Sequence, residues 1–333
     1  ITAAVNRYLS QFKSIPLTPS PWFNALRTNG LNRFSELGFP SNNRGNEAWK
    51  YTNISPVVDA ELGQSADSTI SDPRLFNTIP SSREWTRLVF VNGLPVNINS
   101  TKLAMSLDDA IEKDGRWLAE YLGQGNAVNS DGFVALNTAF LRDGAVLRIP
   151  RDTKPGLIHV VFVALGDSTI SHPRMLIVAE PGSSASVIET HLNIESNHIV
   201  TNAVTEIVVE ESAHLSHTKL VLGAPGAFHI GSTESLVGKN ARLVSGVYVD
   251  AADLTRNALR ISLDGENASS VLRALSVTQG SQHVDNQTSI EHLASGTSSI
   301  QAYRSVLDGT SRNVFSGRVY VDPAAAKAQA EQS

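Results

Sequence analysis

Cysteine is absent from all 333 residues of the chain. Within this sequence, its absence excludes disulfides, thiolate metal sites, cysteine-ligated metal clusters and nucleophilic thiols. It also fits a reducing compartment. Aromatic residues are scarce, at 6% of the sequence, and the repeated region described below contains few of the rings that line carbohydrate-binding grooves.

The chain also lacks a basic cluster and a long apolar run. It carries a net charge of −5, and its 27 basic residues are scattered, so no footprint for a nucleic-acid backbone is present. The longest strongly apolar stretch, residues 156–166, is too short to span a bilayer and is predicted to be a core strand. The sequence begins at Ile1 without a recognisable secretory signal. Nucleic acid and membrane are therefore not expected as partners.

One short pattern recurs five times between residues 182 and 300. It consists of a small or turn residue, then Ala or Ser, then an aliphatic residue. The aliphatic positions are spaced by 28, 28, 28 and 29 residues and are occupied by Val187, Leu215, Leu243, Val271 and Ile300. A repeat this even predicts a stacked architecture in which each unit contacts only its neighbours.

The residues within each repeat indicate strands. Apolar and polar residues alternate, with many β-branched side chains, over residues 203–209, 215–222, 243–249 and 271–277. Two short strands and two turns fit into one repeat, which predicts a coil of a parallel β-solenoid, with neighbouring coils about 4.8 Å apart. The alternative is an antiparallel sandwich with evenly spaced hairpins.

The region before the repeat has a different texture. Helical patterns cover residues 3–12, 21–37, 106–121 and 131–141, while residues 41–83 are polar and rich in turn residues. Residues 87–91 are predicted to form a strand that ends in the tight turn Asn92-Gly93. Ser106 is the expected cap of its helix. The sequence thus predicts a mainly helical α/β domain over residues 1–143 and a solenoid over residues 144–333.

Two side-chain pairs are candidate metal ligands. Glu189 and His191 share one strand face, and so do His283 and Asp285, with His292 nearby. The favoured interpretation is that both are hydrogen-bonded or solvated surface pairs, because solenoid ladders often place polar residues in register. His214 and His217, three residues apart, are predicted to point to opposite faces of a strand and to share no metal.

Two other patterns are weaker indications of chemistry. The glycine-rich residues 223–233 lack the lysine of a phosphate-binding loop and are predicted to form a solenoid turn. A pair of catalytic carboxylates for glycoside cleavage is conceivable, but no spacing singles one out. The candidates are Asp250, Asp253, Asp264, Asp285 and Asp308. A carbohydrate-binding or carbohydrate-cleaving parallel β-helix is therefore kept as the alternative function.

Three stretches resemble one protein family. They are the run Asn46-Glu47-Ala48-Trp49-Lys50-Tyr51-Thr52, the helix around Asn137, and the late segment from His283 to Gly317. Together they are similar to the SufB/SufD family, the scaffold proteins of SUF iron–sulfur cluster assembly. The early Glu-x-Trp-Lys-Tyr motif favours the SufD branch over the SufB branch. The signature residues are Glu47, Trp49, Tyr51, Asn137, Phe315 and Gly317.

This resemblance implies a right-handed parallel β-helix and a non-catalytic role. Family members of this branch pair with a SufB-like subunit, bind a SufC-like ATPase and support iron acquisition. A homodimer in isolation is the alternative assembly. No cofactor is expected on this chain alone, the iron–sulfur cluster belonging to the assembled complex, and no flavin motif is present. The implied location is the cytoplasm, or the plastid stroma in a plant or alga.

The match to the family departs at the end of the sequence. Family members continue past Ser333 with a segment of the type Cys-x-His-Gly-Ala and a helical domain that docks the ATPase, so a truncated or partly described chain is expected. Local capping rules favour a helix over residues 322–331, where Asp322-Pro323 precedes an alanine-rich run. The family pattern places a strand there. Strand or irregular structure is the prediction.

Overall fold

Two parallel sheets face each other and are built by a chain that alternates between them. The fold is a parallel β-solenoid of about 6 turns with a helical region at its N-terminal end. This computed structural model describes residues 2–40, 46–64, 79, 82–96, 98, 100–193, 198–250 and 252–333. The parallel pairing confirms the solenoid prediction and rules out the antiparallel sandwich.

The elements follow one another in a simple order. The helices are α1 (Thr2–Phe12), α2 (Pro21–Leu37), α3 (Ser55–Val58), α4 (Leu107–Tyr121) and α5 (Gly132–Ala139), with 3-10 turns at Glu47–Trp49 and Asn126–Asn129. The strands are β1 (Gly63–Gln64), β2 (Thr86–Val91), β3 (Leu94–Pro95), β4 (Ala104–Ser106), β5 (Ala145–Ile149), β6 (Ile158–Ala164), β7 (Thr169–Ser171), β8 (Arg174–Ala179), β9 (Ser184–Asn193), β10 (Ile199–Val209), β11 (His214–Leu222), β12 (Ala227–Val237), β13 (Arg242–Asp250), β14 (Leu254–Leu263), β15 (Ser269–Thr278), β16 (His283–His292), β17 (Ser298–Leu307), β18 (Arg312–Val321) and β19 (Gln329–Gln332).

The strands divide between two sheets. Sheet A has the order β18-β16-β14-β12-β10-β8-β5-β4, with β7 beside β10 and β1 beside β7. Sheet B has the order β19-β17-β15-β13-β11-β9-β6-β2-β3. Strands β2, β3 and β4 precede residue 143 and still belong to these sheets, so the N-terminal part supplies strands as well as helices. The β2–β3 turn has positive φ at Asn92 and Gly93, as the sequence predicts.

The repeat seen in the sequence marks the corners of the coils. A residue with positive φ opens each corner, at Gly182, Ser212, Asn240, Asn267 and Gly296, and a small buried residue follows it. This conformation suits Gly and Asn, whereas Ser adopts it at a steric cost. Sheet B strands pair with offsets of 30, 28, 27 and 29 residues, from Ser184 to His214, Arg242, Ser269 and Ser298 in turn.

The five aliphatic positions of the repeat are therefore not all equivalent. Leu215 pairs with Leu243, and both face the interior of the solenoid. Val271 pairs with Val244 instead, and Val271 points outward. The even spacing of these positions does not place them in one column, because the third coil is one residue shorter than the second. A one-residue slip turns a side chain to the other face.

The helices cover the outer face of sheet A. Tyr8, Phe34, Phe39 and Phe133 form one buried aromatic cluster that also contacts Val200 of β10. The predicted cap of α4 is present, since Ser106 Oγ accepts from the Asp109 amide at 3.2 Å. The structure also shows that Asp131 caps α5.

The remaining segments agree with the sequence analysis. Strand β6 lies within the predicted core stretch, and every residue in it is buried. The alanine-rich end is not helical: β19 pairs in parallel with β17, which confirms the prediction of strand or irregular structure. Among the residues the structure describes, no helix is long and apolar enough to cross a membrane.

Candidate functional site in the solenoid interior

One edge of the interior is apolar, and the other is lined by polar side chains. Glu189 on β9 is the centre of the polar edge and is 1% exposed. His191 Nε2 lies 2.6 Å from Glu189 Oε1, and His217 Nε2 lies 2.7 Å from Oε2. Thr205 Oγ1 donates to the same carboxylate at 2.9 Å, and Lys219 Nζ lies 3.4 Å away. Strands of both sheets thus converge on a single carboxylate.

These donors keep Glu189 ionised. Burial raises the pKa of its carboxyl, but Lys219 and the two imidazole donors outweigh burial and hold the pKa well below its usual range. Lys219 also donates to Thr233 Oγ1 at 2.9 Å. A buried pair of this kind is kept only where both charges are compensated, because removing either partner leaves an unpaired charge in the core.

The imidazoles of His191 and His229 are neutral. Burial lowers the pKa of His191, and it lowers that of His229 well below the usual range. Because an ionised carboxylate only accepts hydrogen bonds, the Nε2 atoms facing Glu189 carry hydrogen. Among the described residues, no partner contacts the Nδ1 atoms of His191 and His217 or either ring nitrogen of His229.

A small cavity adjoins the network. It has a volume of about 10 Å³ and is lined by His217, Lys219, Thr233, Ser245 and Asn257, among others. A volume of this size with several polar walls is about what one buried water needs. At the lining residue Gly231, a Cβ would come within 2.8 Å of His229 Nε2. Glycine at this position therefore avoids a clash between a side chain and the His229 ring.

Protein groups supply the donors and the positive charge around Glu189. Within the described ranges, no group of three His, Asp or Glu side chains has the geometry to hold a metal ion. The Lys219 ammonium supplies the positive charge that a metal would bring to Glu189, and the imidazole atoms nearest the carboxylate donate protons to it. The site therefore consists of a buried hydrogen-bond network around the Glu189–Lys219 ion pair.

Polar contacts continue along the solenoid axis beyond the charged pair. Asn257 Nδ2 donates to Asn286 Oδ1 at 3.3 Å, and Asn286 Nδ2 donates to Ser276 Oγ at 3.3 Å. Thr288 Oγ1 then donates to Gln301 Oε1 at 2.7 Å. The interior edge changes from charged to neutral along this path.

Sequence analysis found part of this network. It placed Glu189 and His191 on one face, as the structure does, and it placed His214 and His217 on opposite faces, which is confirmed by their exposed and buried positions. The expectation of a surface pair was wrong because both residues are buried between the sheets. Lys219 and His229 were missed. Both could have been predicted from the sequence, because each is a polar residue at an inward position of a strand with alternating residues.

The second candidate cluster is divided between the two faces of β16. His283 and Asp285 lie on the outer face, where Thr52 donates to Asp285 and lies 3.5 Å from His283 Nε2. Arg256 also forms an ion pair with Asp285. His292 points into the interior, and its ring nitrogens contact Thr297 and Ser299 at 2.8 and 2.9 Å. The three residues therefore share no site.

Three signature residues lie on the segment before α3, and one of them, Trp49, contacts sheet A. The ring of Trp49 is buried, with the Arg256 guanidinium 3.7 Å from its centre, and it stacks on Phe133. Glu47 and Tyr51, on the same segment, are exposed.

Asn137 fixes α5 to sheet A. Its Nδ2 donates to the carbonyls of Pro173 and Asn202 at 2.9 and 2.8 Å. Arg174 donates to its Oδ1 at 3.1 Å. Every hydrogen-bonding group of this buried amide thus contacts the solenoid or its flanking turn.

The other two signature residues lie on β18. The ring of Phe315 stacks on Tyr303 of β17 at 4.5 Å. At Gly317, a Cβ would lie 2.8 Å from Gln332 Nε2. These contacts close the interior at the last coils.

The remaining acidic candidates are divided between the two edges of the solenoid. Asp253 and Asp308 lie in turns at one edge of the solenoid, Asp264 lies in a turn at the opposite edge, and Asp250 ends a strand of sheet B. Residues 223–233 form a turn followed by the start of β12, as predicted.

The fold is a parallel β-solenoid with a helical cover over one sheet, and sequence comparisons specify its family. Residues 162–333 match the SufBD core domain of SUF-system iron–sulfur cluster assembly, and residues 4–156 match the SufBD N-terminal region. The chain belongs to the SufBD family.

Several curated relatives agree with this assignment. An iron–sulfur cluster assembly SufBD family protein of Synechocystis, slr0076, is 28% identical over 307 residues, covering 86% of this chain and 67% of the relative. The iron–sulfur cluster assembly protein SufD of Escherichia coli is 23% identical over 311 residues, covering 91% of this chain and 71% of the relative. SufD of Bacillus subtilis is 20% identical over 346 residues, covering 98% and 77%.

Proposed function

We propose that this chain is a non-catalytic scaffold subunit in SUF iron–sulfur cluster assembly. The observation that carries the proposal is the family match, which accounts for both the helical region and the solenoid. The polar network supports it because the charged groups are buried and already paired with one another. In this role the iron–sulfur cluster is cargo of the assembled complex, and the chain supports iron acquisition.

The proposed partners are a SufB-like subunit and a SufC-like ATPase. Pairing with SufB is assigned to the last coils, where β18 presents the partly exposed side chains of Phe315, Tyr320 and Val321. A strand with an unpaired edge is a template for another chain. The ATPase is assigned to a C-terminal segment that follows residue 333 in family members. A homodimer in isolation is the alternative assembly.

The proposed location follows from the relatives. They include the SufD proteins of two bacteria and a chloroplastic SufBD family protein of Arabidopsis thaliana that is 25% identical over 227 residues. We therefore assign the chain to the cytoplasm or to the plastid stroma, according to its source.

We use the name extended chain for this chain together with the C-terminal segment that family members carry after residue 333. Affinity purification of the extended chain from its source, followed by mass spectrometry, tests this function. Recovery of both SufB-like and SufC-like proteins is expected. A chain that ends at Ser333 should keep the SufB-like partner and lose the ATPase. Failure to recover either partner with the extended chain, under conditions where the chain is folded, would refute the scaffold assignment.

A further inference from the structure

The outer face of sheet B is open, whereas the helices cover the outer face of sheet A. We use the name open face for the outward positions of β11, β13, β15 and β17. On this face Leu275 is 40% exposed and Ile300 is 45% exposed. Sheet A residues that point outward, such as Val200 and Val204, are buried under the helices. The two sheets of one solenoid therefore meet different surroundings.

Apolar side chains form continuous rows across the open face. Leu220, Tyr248 and Leu275 are direct neighbours on three successive strands. Val244, Val271 and Ile300 form a second row, and Gly246 and Arg273 lie between the two rows. Because strands of one sheet lie about 4.8 Å apart, each row is a continuous apolar strip about 10 Å long.

Three arginines lie among these rows. Arg242, Arg273 and Arg304 are exposed and come from successive strands of the sheet. None of them forms an ion pair with any residue that the structure describes, although half-buried arginines, such as Arg33, do. The open face has one acidic residue, Asp250, which accepts from Tyr248 at 3.4 Å. The face is thus locally positive on a chain of net charge −5.

The composition of the open face matches that of protein interfaces. Its outward positions contain Arg, Tyr and aliphatic residues but neither Lys nor Glu, and interfaces are enriched in Arg and Tyr and depleted of Lys and Glu. A second copy is a poor occupant, since its arginines would meet these arginines with one aspartate to compensate. Nucleic acid is also a poor occupant, because binding its phosphate backbone requires a denser group of basic residues than three arginines among apolar rows.

We propose that the open face is a docking surface for a partner protein whose contact surface is aliphatic and acidic. The partner's carboxylates pair with Arg242 and Arg273, and its aliphatic side chains cover Leu220, Tyr248 and Leu275. This contact is separate from the last-coil pairing assigned to the SufB-like subunit, and it does not depend on the proposed function.

Site-specific photocrosslinking tests the surface in the source cells. Tyr248 is replaced by p-benzoylphenylalanine in the extended chain, and the matched control carries the same replacement at Tyr51, which is exposed elsewhere. Crosslinked peptides are identified by mass spectrometry. We expect a crosslink from position 248 alone to an acidic, aliphatic segment of a different protein. A crosslink to a second copy, to another part of this chain, to lipid or to nucleic acid overturns the proposal.

Charge reversal then tests the recognition chemistry. A synthetic peptide of the crosslinked segment is titrated against the purified chain. Arg242→Glu combined with Arg273→Glu should weaken binding about tenfold or more, whereas Arg116→Glu, an exposed arginine on α4, should leave it unchanged. A peptide with its carboxylates changed to lysine should regain affinity for the doubly reversed chain. Equal binding by all three proteins refutes charge recognition by the open face.

Discussion

The guanidinium of Arg256 lies 3.7 Å from the centre of the Trp49 ring and is paired with the Asp285 carboxylate. A residue in the middle of the solenoid therefore joins a signature tryptophan, about 200 positions earlier in the sequence, to a neighbouring strand. Because all three side chains are buried, each depends on the other two for compensation of its charge or for packing.

Removing the guanidinium should release the segment around Trp49. We expect Arg256→Ala to lower the free energy of unfolding by about 3–5 kcal/mol because it leaves Asp285 charged and buried. Arg256→Lys keeps the charge but loses the planar stack, and it should cost less. Urea denaturation measures both, and hydrogen exchange over residues 46–54 should rise. If Arg256→Ala combined with Asp285→Ala is no more stable than Arg256→Ala alone, compensation of the Asp285 charge is not the cause.

The interior ion pair gives a second prediction. Lys219→Met should destabilise the chain by about 3–5 kcal/mol, since Glu189 would lose its ammonium partner. Combining Lys219→Met with Glu189→Gln should recover much of that loss, because the remaining network is neutral. Calorimetry or urea denaturation of the two single variants and the double variant gives the coupling energy. Additive effects of the two substitutions would contradict direct coupling.

Stability should fall at acidic pH. Burial lowers the pKa of His172 to about 3, far below the ordinary value of 6.5. The folded state keeps this ring neutral while the unfolded state binds a proton, so stability is fully present above pH 6.5 and is lost as pH falls towards 3. The loss approaches about 1.4 kcal/mol per pH unit for one such group. His191 and His229, whose pKa values are also lowered, act in the same direction.

The variant His172→Gln tests this dependence. Glutamine can accept from Asn202 as His172 Nδ1 does at 3.2 Å, and urea denaturation between pH 8 and pH 5 should show a shallower loss of stability than in the unmodified chain. An unchanged slope in His172→Gln would contradict its role.

Asp143 affects the pH dependence in the opposite direction. Burial raises its pKa to about 7, so its contribution to stability is lost as pH rises from about 4 to 7. Asp143→Asn should therefore steepen the net acid loss.

A close approach in the helical cover predicts an intolerant glycine. Glu234 accepts from the amides of Asn126 and Ala127 at 2.8 and 3.1 Å, and a Cβ on Gly125 would lie 2.1 Å from Glu234 Oε2. Gly125→Ala should destabilise the chain by about 1–3 kcal/mol in thermal unfolding. At Gly156 the nearest atom to a Cβ is 3.5 Å away, so Gly156→Ala should have little effect. Equal effects of the two substitutions would exclude the clash as the cause.

The proposed pairing edge is tested by a proline. Val319→Pro on β18 removes a backbone donor, and proline is poorly tolerated within a paired strand. We expect association with the SufB-like subunit to decrease in affinity purification, with circular dichroism showing that the solenoid remains folded. Val319→Ala is the control that keeps the donor. Full association of a folded Val319→Pro chain would refute edge pairing.

Local patterns were sufficient for the elements but not for the register. Capping at Ser106, the Asn92-Gly93 turn and the alternation in β11 and β13 are short-range signals, and each predicted its element correctly. The individual coil lengths of 27 to 30 residues could not be predicted from the sequence. They follow the spacing of the corner residues with positive φ, whereas the sequence repeat was measured between aliphatic residues.

The interior network was harder to predict because its members come from different coils. Glu189 and His217 are 28 residues apart yet in contact, and only the offset between β9 and β11 brings them together. The contact between Trp49 and Arg256 is of the same kind. An alternating strand predicts which residues point inward, but the residue that each one meets depends on the length of the intervening coil.

The helical cover bridges many coils on one side of the solenoid. Gly123, Asn126 and Thr52 contact Glu206, Glu234 and Asp285, which lie on three different strands of sheet A. Sheet B has no equivalent brace across β11 to β17 among the described residues. We expect such a body to be stiffer along the braced sheet than along the opposite one, so that a force applied at its last coils would deform sheet B more than sheet A.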